Sequence, residues 1–321
     1  LVEEGAELRD AGITAPVLLL SEPTVAAVPD LVALDLTPTV YSEPFLAALD
    51  AAGRRRGRPV AVHAKLDTGM ARVGAAPEVW PVVLDRIGAA DGLVLEGVET
   101  HLARADEPSS GTTEMQLVRL AEGLEELSDR PAPRYLHVAN TAAALVAADA
   151  VRAVGAALPA TAPLVRAGIG VYGLDPGGEV RAADHGLEPA LRIVSAVSFA
   201  KRVPAGTPVS YGHRWSTPTD GWLATVPIGY ADGVPRALGG VGAALLGGRR
   251  RPVAGTVTMD QLLLWCGPDE PVVWDEVVLV GTQGGATVGL REWADAAGTI
   301  TYEVATGLGR RLPRVVVGGD A

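Results

Sequence analysis

Several things are scarce in this chain. Among its 321 residues it has one cysteine, Cys266, so no disulfide within the chain and no cysteine-built metal site can form. Only two of its 27 basic residues are lysines, Lys65 and Lys201, so chemistry that needs an amine has two candidates. Long hydrophobic runs are missing. The longest alanine-rich stretch, 141–160, is interrupted by Asp149 and Arg152, which excludes a membrane span there. No signal-peptide pattern opens the chain. GxxxxGK[ST], HExxH, a Ser/His/Asp spacing and a GxGxxG in a strand–helix setting do not occur. The expectation is a cytoplasmic enzyme without a metal. The start, LVEEGAELRDAG, falls inside a helical pattern and does not read as a natural beginning.

What is present is a globular composition, 48% hydrophobic and 20% charged. A net charge of −11 argues against nucleic acid or an anionic membrane as the main partner. Up to Gly173 the pattern is strand, loop, helix, repeated. Strands are expected at Val17–Leu20, Leu34–Tyr41, Val60–Leu66, Leu93–His101, Tyr135–Val138 and Leu164–Tyr172, with helices near 43–53, 77–88, 112–128 and 141–148. Such alternation means a parallel sheet with right-handed crossovers. A closed eight-stranded barrel needs two more strands; an open doubly wound sheet does not. After the Pro/Gly-rich loop 174–186 come short strands between turns: Leu191–Phe199, Gly206–Tyr211, Gly221–Ile228, Pro252–Thr258, Leu262–Trp265, Glu276–Val280 and Val315–Val317. A helix is expected near Leu290–Ala297. This predicts an antiparallel β domain, with residues 1–187 and 188–321 as the two domains.

The first domain is organised around Val60–Gly74, VAVHAKLDTGMARVG. Its alternation puts Val60, Val62, Ala64 and Leu66 on one side and Ala61, His63, Lys65 and Asp67 on the other. The strand breaks at Asp67-Thr68-Gly69, and Arg72 follows at its C-terminal end, where α/β folds gather their chemistry. A lysine inside an apolar strand must reach solvent, find an anion, lose its proton or be modified.

Other candidates fall at strand ends. His101 closes EGVETH. Asn140 and Thr141 follow Tyr135–Val138 at a helix start, where a threonine caps the helix or binds an anion. Arg166 precedes Gly168 and Gly170, which leave backbone N–H groups open to a phosphate. Singly, these are a satisfied histidine, an N-cap and an ion pair. Together they are four successive strands delivering polar groups at one end, the active-site face of a barrel. In the second domain Tyr211 (VSYGHRW), Tyr230 (PIGYADG), Met259-Asp260 (GTVTMDQ) and Tyr302 (TITYEV) stand in glycine- or threonine-marked contexts, where each tyrosine also fits plain packing.

KLDTGMAR, THLARADE, HVANT, RAGIGVYG, SYGHRW, IGYADG, TMDQ and TYEV, in this order, resemble the motifs of the alanine racemases over almost the whole chain. These are barrel-type enzymes dependent on pyridoxal 5′-phosphate (PLP). The resemblance implies a (β/α)8 TIM-type barrel followed by a mainly antiparallel β domain. It also implies two-base racemisation of L- and D-alanine for peptidoglycan, PLP as cofactor, and a head-to-tail homodimer with shared sites. Arg166 would face the pyridine nitrogen. Thr141, Gly168, Ile169 and Tyr302 would hold the phosphate, with Asn140, His101 and His137 beside the cofactor. Arg72 would bind the cofactor phenolate and the substrate carboxylate. Met259, Asp260 and Tyr230 would line the substrate site. Lys65 would be carbamylated and orient Arg72. Tyr211, from the second subunit, would be a base, linked to Arg166 through His101 and His137. A tyrosine base needs its pKa of ~10 brought towards neutrality, which nearby positive charge favours.

Two departures stand out. Glu99 occupies a position where relatives often carry an apolar or aromatic residue. The family's Schiff-base lysine, in a motif of the type VVKANAYGHG, has no counterpart: Lys65 sits in KLDTGMAR and Lys201 in FAKRVPAG. The expectation is that this lysine and two barrel strands precede Leu1, and that this chain alone does not racemise alanine. A racemase of another amino acid such as serine, or a non-catalytic PLP-binding or dimerisation relative, are the alternatives.

Overall fold

Each expected parallel strand finds its successor as a hydrogen-bonded neighbour. The computed structural model describes residues 1–127, 130–156, 158 and 161–318. It places β1 (Leu18–Leu19), β2 (Thr37–Val40), β3 (Val60–Lys65), β4 (Leu93–Glu99), β5 (Tyr135–Asn140) and β6 (Ala162–Arg166) in that spatial order, all parallel. A doubly wound sheet would reverse its order at a switch point. An unbroken succession is the winding of a TIM-type barrel. Helices α1 (Val2–Asp10), α2 (Val28–Ala33), α3 (Glu43–Arg56), α4 (Trp80–Gly88), α5 (Thr112–Glu125), α6 (Thr141–Val146) and α7 (Ala148–Gly155) fill the connections.

β3 shows why both sides of such a strand read differently. Val60, Val62, Ala64 and Leu66 join the apolar layer that includes Phe45, Leu49, Leu84 and Ile87. On the other side His63 and Lys65 are buried as well. The polar face therefore points into the barrel.

The second unit is antiparallel throughout. Its elements are β7 (Ile193–Ala196), β8 (Phe199–Val203), β9 (Pro208–Val209), β10 (Trp215–Ser216), β11 (Gly221–Val226), β12 (Ala243–Leu246), β13 (Arg249–Pro252), β14 (Leu262–Gly267), β15 (Glu276–Gln283) and β16 (Ala286–Val288), then α8 (Leu290–Ala297) and α9 (Thr301–Thr306). β14-β11-β8 form one sheet; β13-β12-β15-β16, with β7 on β15, form another. Trp293 of α8 is buried with Val277, Val278 and Leu290. The packing separates Leu1–Gly168 with Gly178–Val180 from Ile169–Gly177 with Arg181 onward.

Several expectations change. The strand expected to reach Tyr172 stops at Arg166, and Ile169–Tyr172 turns as a 3₁₀ helix after Gly168. Residues 141–148 hold the whole of one short helix, α6, and the first residue of the next, with Ala147 between them. The last residue of the expected 112–128 helix lies outside the described residues, as do 157, 159 and 160 of the alanine-rich stretch. Pro252–Thr258 is not a strand: the ladder ends at Pro252, and Gly255 with φ +74° turns the chain out of it. Val315–Val317, β-branched but exposed, pairs with nothing among the described residues. No helix among the described residues is long and apolar enough to cross a membrane.

Candidate active site

Parallel strands aim their last residues into one end of the barrel, and there the first unit collects its charges. Arg166, the last residue of β6, distributes its hydrogens among five acceptors. Nη1 donates to His137 Nδ1 (2.8 Å) and to the His137 carbonyl (2.7 Å). Nη2 donates to the carbonyls of Thr100 and Val138 and to His101 Nδ1 (3.3 Å). Burial works against the guanidinium, lowering its pKa from the usual value, and the nearby Glu99 carboxylate opposes that shift.

A guanidinium can only donate, so the two histidines facing it are defined. Nδ1 of His137 and of His101 must be acceptors, which makes both rings neutral with the proton on Nε2. Burial, and then Arg166, push His101 down to about 4 and His137 down to about 2. The next member of the chain follows from the first. His137 Nε2 lies 2.7 Å from His63 Nδ1 and donates to it, so the His63 proton is on Nε2, which points to Glu96 Oε2 at 3.5 Å. Burial also depresses His63, while Glu96 and Glu99 work the other way. A fixed sequence of hydrogens thus runs from Arg166 through His137 and His63 to Glu96.

Local backbone makes room for it. The β3–β4 register shifts between Val62, opposite Leu95, and His63, opposite Gly97, leaving Glu96 as the extra residue of a bulge. Bulges re-aim side chains. At Gly97 a Cβ would stand 2.5 Å from the His63 ring, so only glycine fits beside it.

Past β3 the break works as the capping residues suggest. Asp67 Oδ1 accepts from the backbone N–H groups of Gly69, Met70 and Ala71, closing a tight loop. Arg72 then stands exposed, close enough for its charge to depress Lys65 and His101. Thr68 Oγ1 lies 2.8 Å from Thr100 Oγ1 and receives Gln116 Nε2 at 3.1 Å. At the start of α6, Asn140 caps the helix through Ala143 N, and the Thr141 hydroxyl accepts from Gly168 N at 3.0 Å. A Cβ on Gly168 would meet nothing within 4 Å, so the backbone there is open to approach.

In the second unit Tyr211 is 74% exposed. Its backbone is tied: Thr256 Oγ1 donates to the Tyr211 carbonyl at 2.8 Å, and Ser210 Oγ donates to the Thr256 carbonyl at 2.7 Å. Ser210, Gly212 and His213 all have positive φ. Tyr230 and Met259 are exposed on two adjoining segments, the N–H groups of Tyr230 and Ala231 donating to the Thr258 and Met259 carbonyls. Arg311 clasps Asp232 and Asp260 through separate nitrogens. Burial pushes the Asp232 carboxyl up, but hydrogen bonds from Arg311 and Gly229 outweigh it and leave it low.

Comparison with known proteins decides the family. Residues 1–176 match the description "Alanine racemase, N-terminal domain" and residues 190–316 match "Alanine racemase, C-terminal domain". The chain belongs to the alanine racemase family. It is 40% identical to the alanine racemase of Frankia casuarinae over 98% of this chain and 80% of that one. It is likewise 40% identical to the alanine racemase of Symbiobacterium thermophilum over 100% and 82%. The alanine racemase structure from a D-cycloserine-producing Streptomyces lavendulae superposes with a TM-score of 0.88, at 34% identity over 99% of this chain and 82% of that one. That from Bartonella henselae, with covalently bound pyridoxal phosphate, shares the fold at a TM-score of 0.83 and 23% identity over 98% and 83%.

Within this family frame the first unit brings Lys65, His137 and Arg166 around Glu99, sets His101 against Arg166, and pairs Thr141 with Gly168. Ile169, Tyr211, Tyr230, Met259, Asp260 and Tyr302 belong to the second unit. Sequence reasoning passed over His63 and Glu96. His63 was findable, since the alternation of β3 puts it on the Lys65 face. Glu96 was not, because its direction depends on the bulge.

Proposed function

We propose that this protein racemises alanine with PLP, supplying D-alanine for peptidoglycan. The observation that carries the reading is the fixed position of Arg166: a donor-only cation held by two neutral histidines and three carbonyls. Such a group meets a pyridine nitrogen as a donor and cannot protonate it, because arginine keeps its proton. The Thr141 hydroxyl and the open backbone at Gly168 fit a phosphate, and the family resemblance assigns Ile169 and Tyr302 to the same task. Asn140, His101 and His137 complete the cofactor surroundings. When bound, PLP withdraws electrons from the α-carbon of an attached amino acid and acidifies its proton.

The chain's residues then have separate tasks. Arg72 binds the substrate carboxylate, assisted by the Met259 N–H of a second copy, with Asp260 and Tyr230 bordering the site. Tyr211 of a second copy removes or returns the α-proton on one face. His101, through its Nε2–H, ties the Tyr211 hydroxyl to Arg166, so positive charge favours the tyrosinate. His137, first expected in the same relay, is excluded from it because its ring nitrogens are taken by Arg166 and His63. A homodimer with shared sites accounts for a proton-transfer tyrosine displayed on an exposed turn. Neither Lys65, buried against Glu99, nor Lys201, exposed on β8, takes the part of the cofactor-bearing amine or of the second base.

The test is conversion of L-alanine to D-alanine by the gene product with PLP. Racemisation of alanine well above serine supports the reading. Absence of α-proton exchange in D2O with either alanine enantiomer removes it. For the 321 residues alone, borohydride reduction with PLP followed by peptide mapping should leave Lys65 unlabelled. A pyridoxyl group on Lys65 together with D-alanine formation overturns the part given to that lysine.

A further inference from the structure

The roles above leave one carboxylate unused, and it lies at the centre of the first unit's charges. Glu99, the last residue of β4, is fully buried. Its Oε1 accepts from Thr39 Oγ1 at 2.8 Å and stands 3.6 Å from Lys65 Nζ. Its Oε2 has no hydrogen-bond partner among the described residues, yet lies 3.5 Å from Arg166 Nη1 and 3.4 Å from His137 Nδ1. A buried acceptor without a donor is uncommon. His137 Nδ1 cannot be that donor, because it is taken as an acceptor by Arg166. Oε2 therefore acts through charge, on a guanidinium whose Nη hydrogens are committed elsewhere.

We propose that Glu99 is a positioning residue, the shared counter-charge of Lys65 and Arg166, and that Lys65 in consequence stays an unmodified ammonium and not a carbamate. The inference rests on the functional reading above. Donor accounting supports it. An ammonium has three hydrogens and no acceptor, and Lys65 Nζ directs them at the Leu20 carbonyl (3.4 Å) and Glu99, both acceptors. Carbamylation would form a bond from Nζ to the carbon of CO2 and release protons from nitrogen to solvent. It would leave one N–H and two anionic oxygens among groups that need donors. The new anion would also stand beside Glu99, and like charges within about 4–6 Å disfavour each other. Burial, Arg166 and Arg72 lower the Lys65 pKa, and Glu99 is the group that raises it.

The experiment is 13C NMR of the PLP-loaded protein equilibrated with 13C-labelled bicarbonate, beside turnover in CO2-free buffer. The wild-type protein should show no carbamate carbon and full turnover without CO2. Glu99→Gln keeps an acceptor for Thr39 and removes the charge. It should lose kcat with little change in KM, then regain activity with bicarbonate while a carbamate signal appears. That signal should vanish when Lys65→Arg is added. A wild-type carbamate signal abolished by Lys65→Arg overturns the proposal, as does Glu99→Gln with unchanged kcat and pH profile. The wild-type spectrum needs neither turnover nor a folded variant. It therefore decides the state of Lys65 even where racemisation fails or Glu99→Gln does not fold.

Discussion

Arg166 has a side chain 12% exposed and satisfies five acceptors, whereas Tyr211 is 74% exposed and only its backbone is held. Both belong to the proposed machinery, and they are built by opposite means. In the first unit, neighbouring parallel strands deliver buried polar groups that complete one another. In the second, hairpins and turns fix the backbone and display side chains outward. A residue of the first kind has stability and function entangled; one of the second kind has them separable. Substitutions should therefore divide into two classes.

The largest effect is expected at Tyr211. Tyr211→Phe should cut turnover by about 10²–10⁴-fold, the range for a positioned acid–base group. Stability should stay within about ±0.5 kcal/mol, since the hydroxyl sits on an exposed ring. Urea unfolding beside a racemisation assay checks both halves; undiminished turnover removes Tyr211 from the chemistry. Mixing inactive Tyr211→Phe and Arg72→Ala proteins sharpens the point. If sites are shared in a symmetric dimer, exchange should restore about a quarter of wild-type activity, because a mixed dimer carries one intact site. No recovery after verified subunit exchange counts against sharing.

Arg166→Met should behave otherwise. It leaves Glu99 buried beside Lys65 alone and strips donors from three carbonyls and two imidazoles. Breaking a buried charge pair from one side costs about 3–5 kcal/mol. The unfolding midpoint should fall sharply even without cofactor or substrate. A variant as stable as wild type but merely weaker in PLP binding would make Arg166 a surface-type ligand and erase the contrast.

Acid should separate the two units in the same order. His101 and His137 are held near 4 and 2, below the 6.5 of an unfolded histidine. Between those values and 6.5 the unfolded chain binds protons that the folded chain refuses, so stability rises with pH. The contribution is complete above pH 6.5 and is lost as pH falls towards 4 and below, at up to about 1.4 kcal/mol per pH unit for each ring. In the second unit the low groups are carboxylates, Asp232, Asp269 and Glu292. Their contribution is present above the ordinary carboxylate range and is lost only as pH falls through it. Hydrogen exchange between pH 7 and 4.5 should open the parallel strands first. Simultaneous opening of both units would deny the difference.

How much of this was legible follows from the same contrast. The parallel strands announce themselves as short apolar runs, and Arg166, His101 and His137 were found because they end or interrupt such runs. What could not be read was who meets whom. Thr39, Lys65, Glu99, His137 and Arg166 come from five strands, and their convergence depends on register, including the bulge at Glu96. Composition also misleads where no partner is supplied: Val315–Val317 has strand-forming residues and no strand beside it among the described residues. In the second unit, glycine and tyrosine contexts located the turns. The positive φ of Ser210 and His213 was invisible, because neither residue type signals it.

The smallest effect asks whether the difference lies in side chains or also in backbone strain. Each unit holds a non-glycine residue in the left-handed region within a site loop: Ala71 at φ +54° and His213 at φ +47°. Such a residue costs about 1–2 kcal/mol relative to glycine in that conformation. Glycine in turn loses more freedom on folding, by about 0.5–1 kcal/mol. The net gain for Ala71→Gly and for His213→Gly should therefore be about 0.5 kcal/mol and similar in the two. Neither backbone N–H arrangement has to change: Ala71 N still donates to Asp67 Oδ1, and His213 N to the Ser210 carbonyl. Turnover should nonetheless fall modestly in both, because each loop then holds its functional side chain, Arg72 or Tyr211, less firmly. Matched small gains in unfolding midpoint place the contrast in the side chains alone. A loss of more than about 1 kcal/mol in either variant would show that its loop depends on contacts of the original side chain, and the two loops would no longer be equivalent.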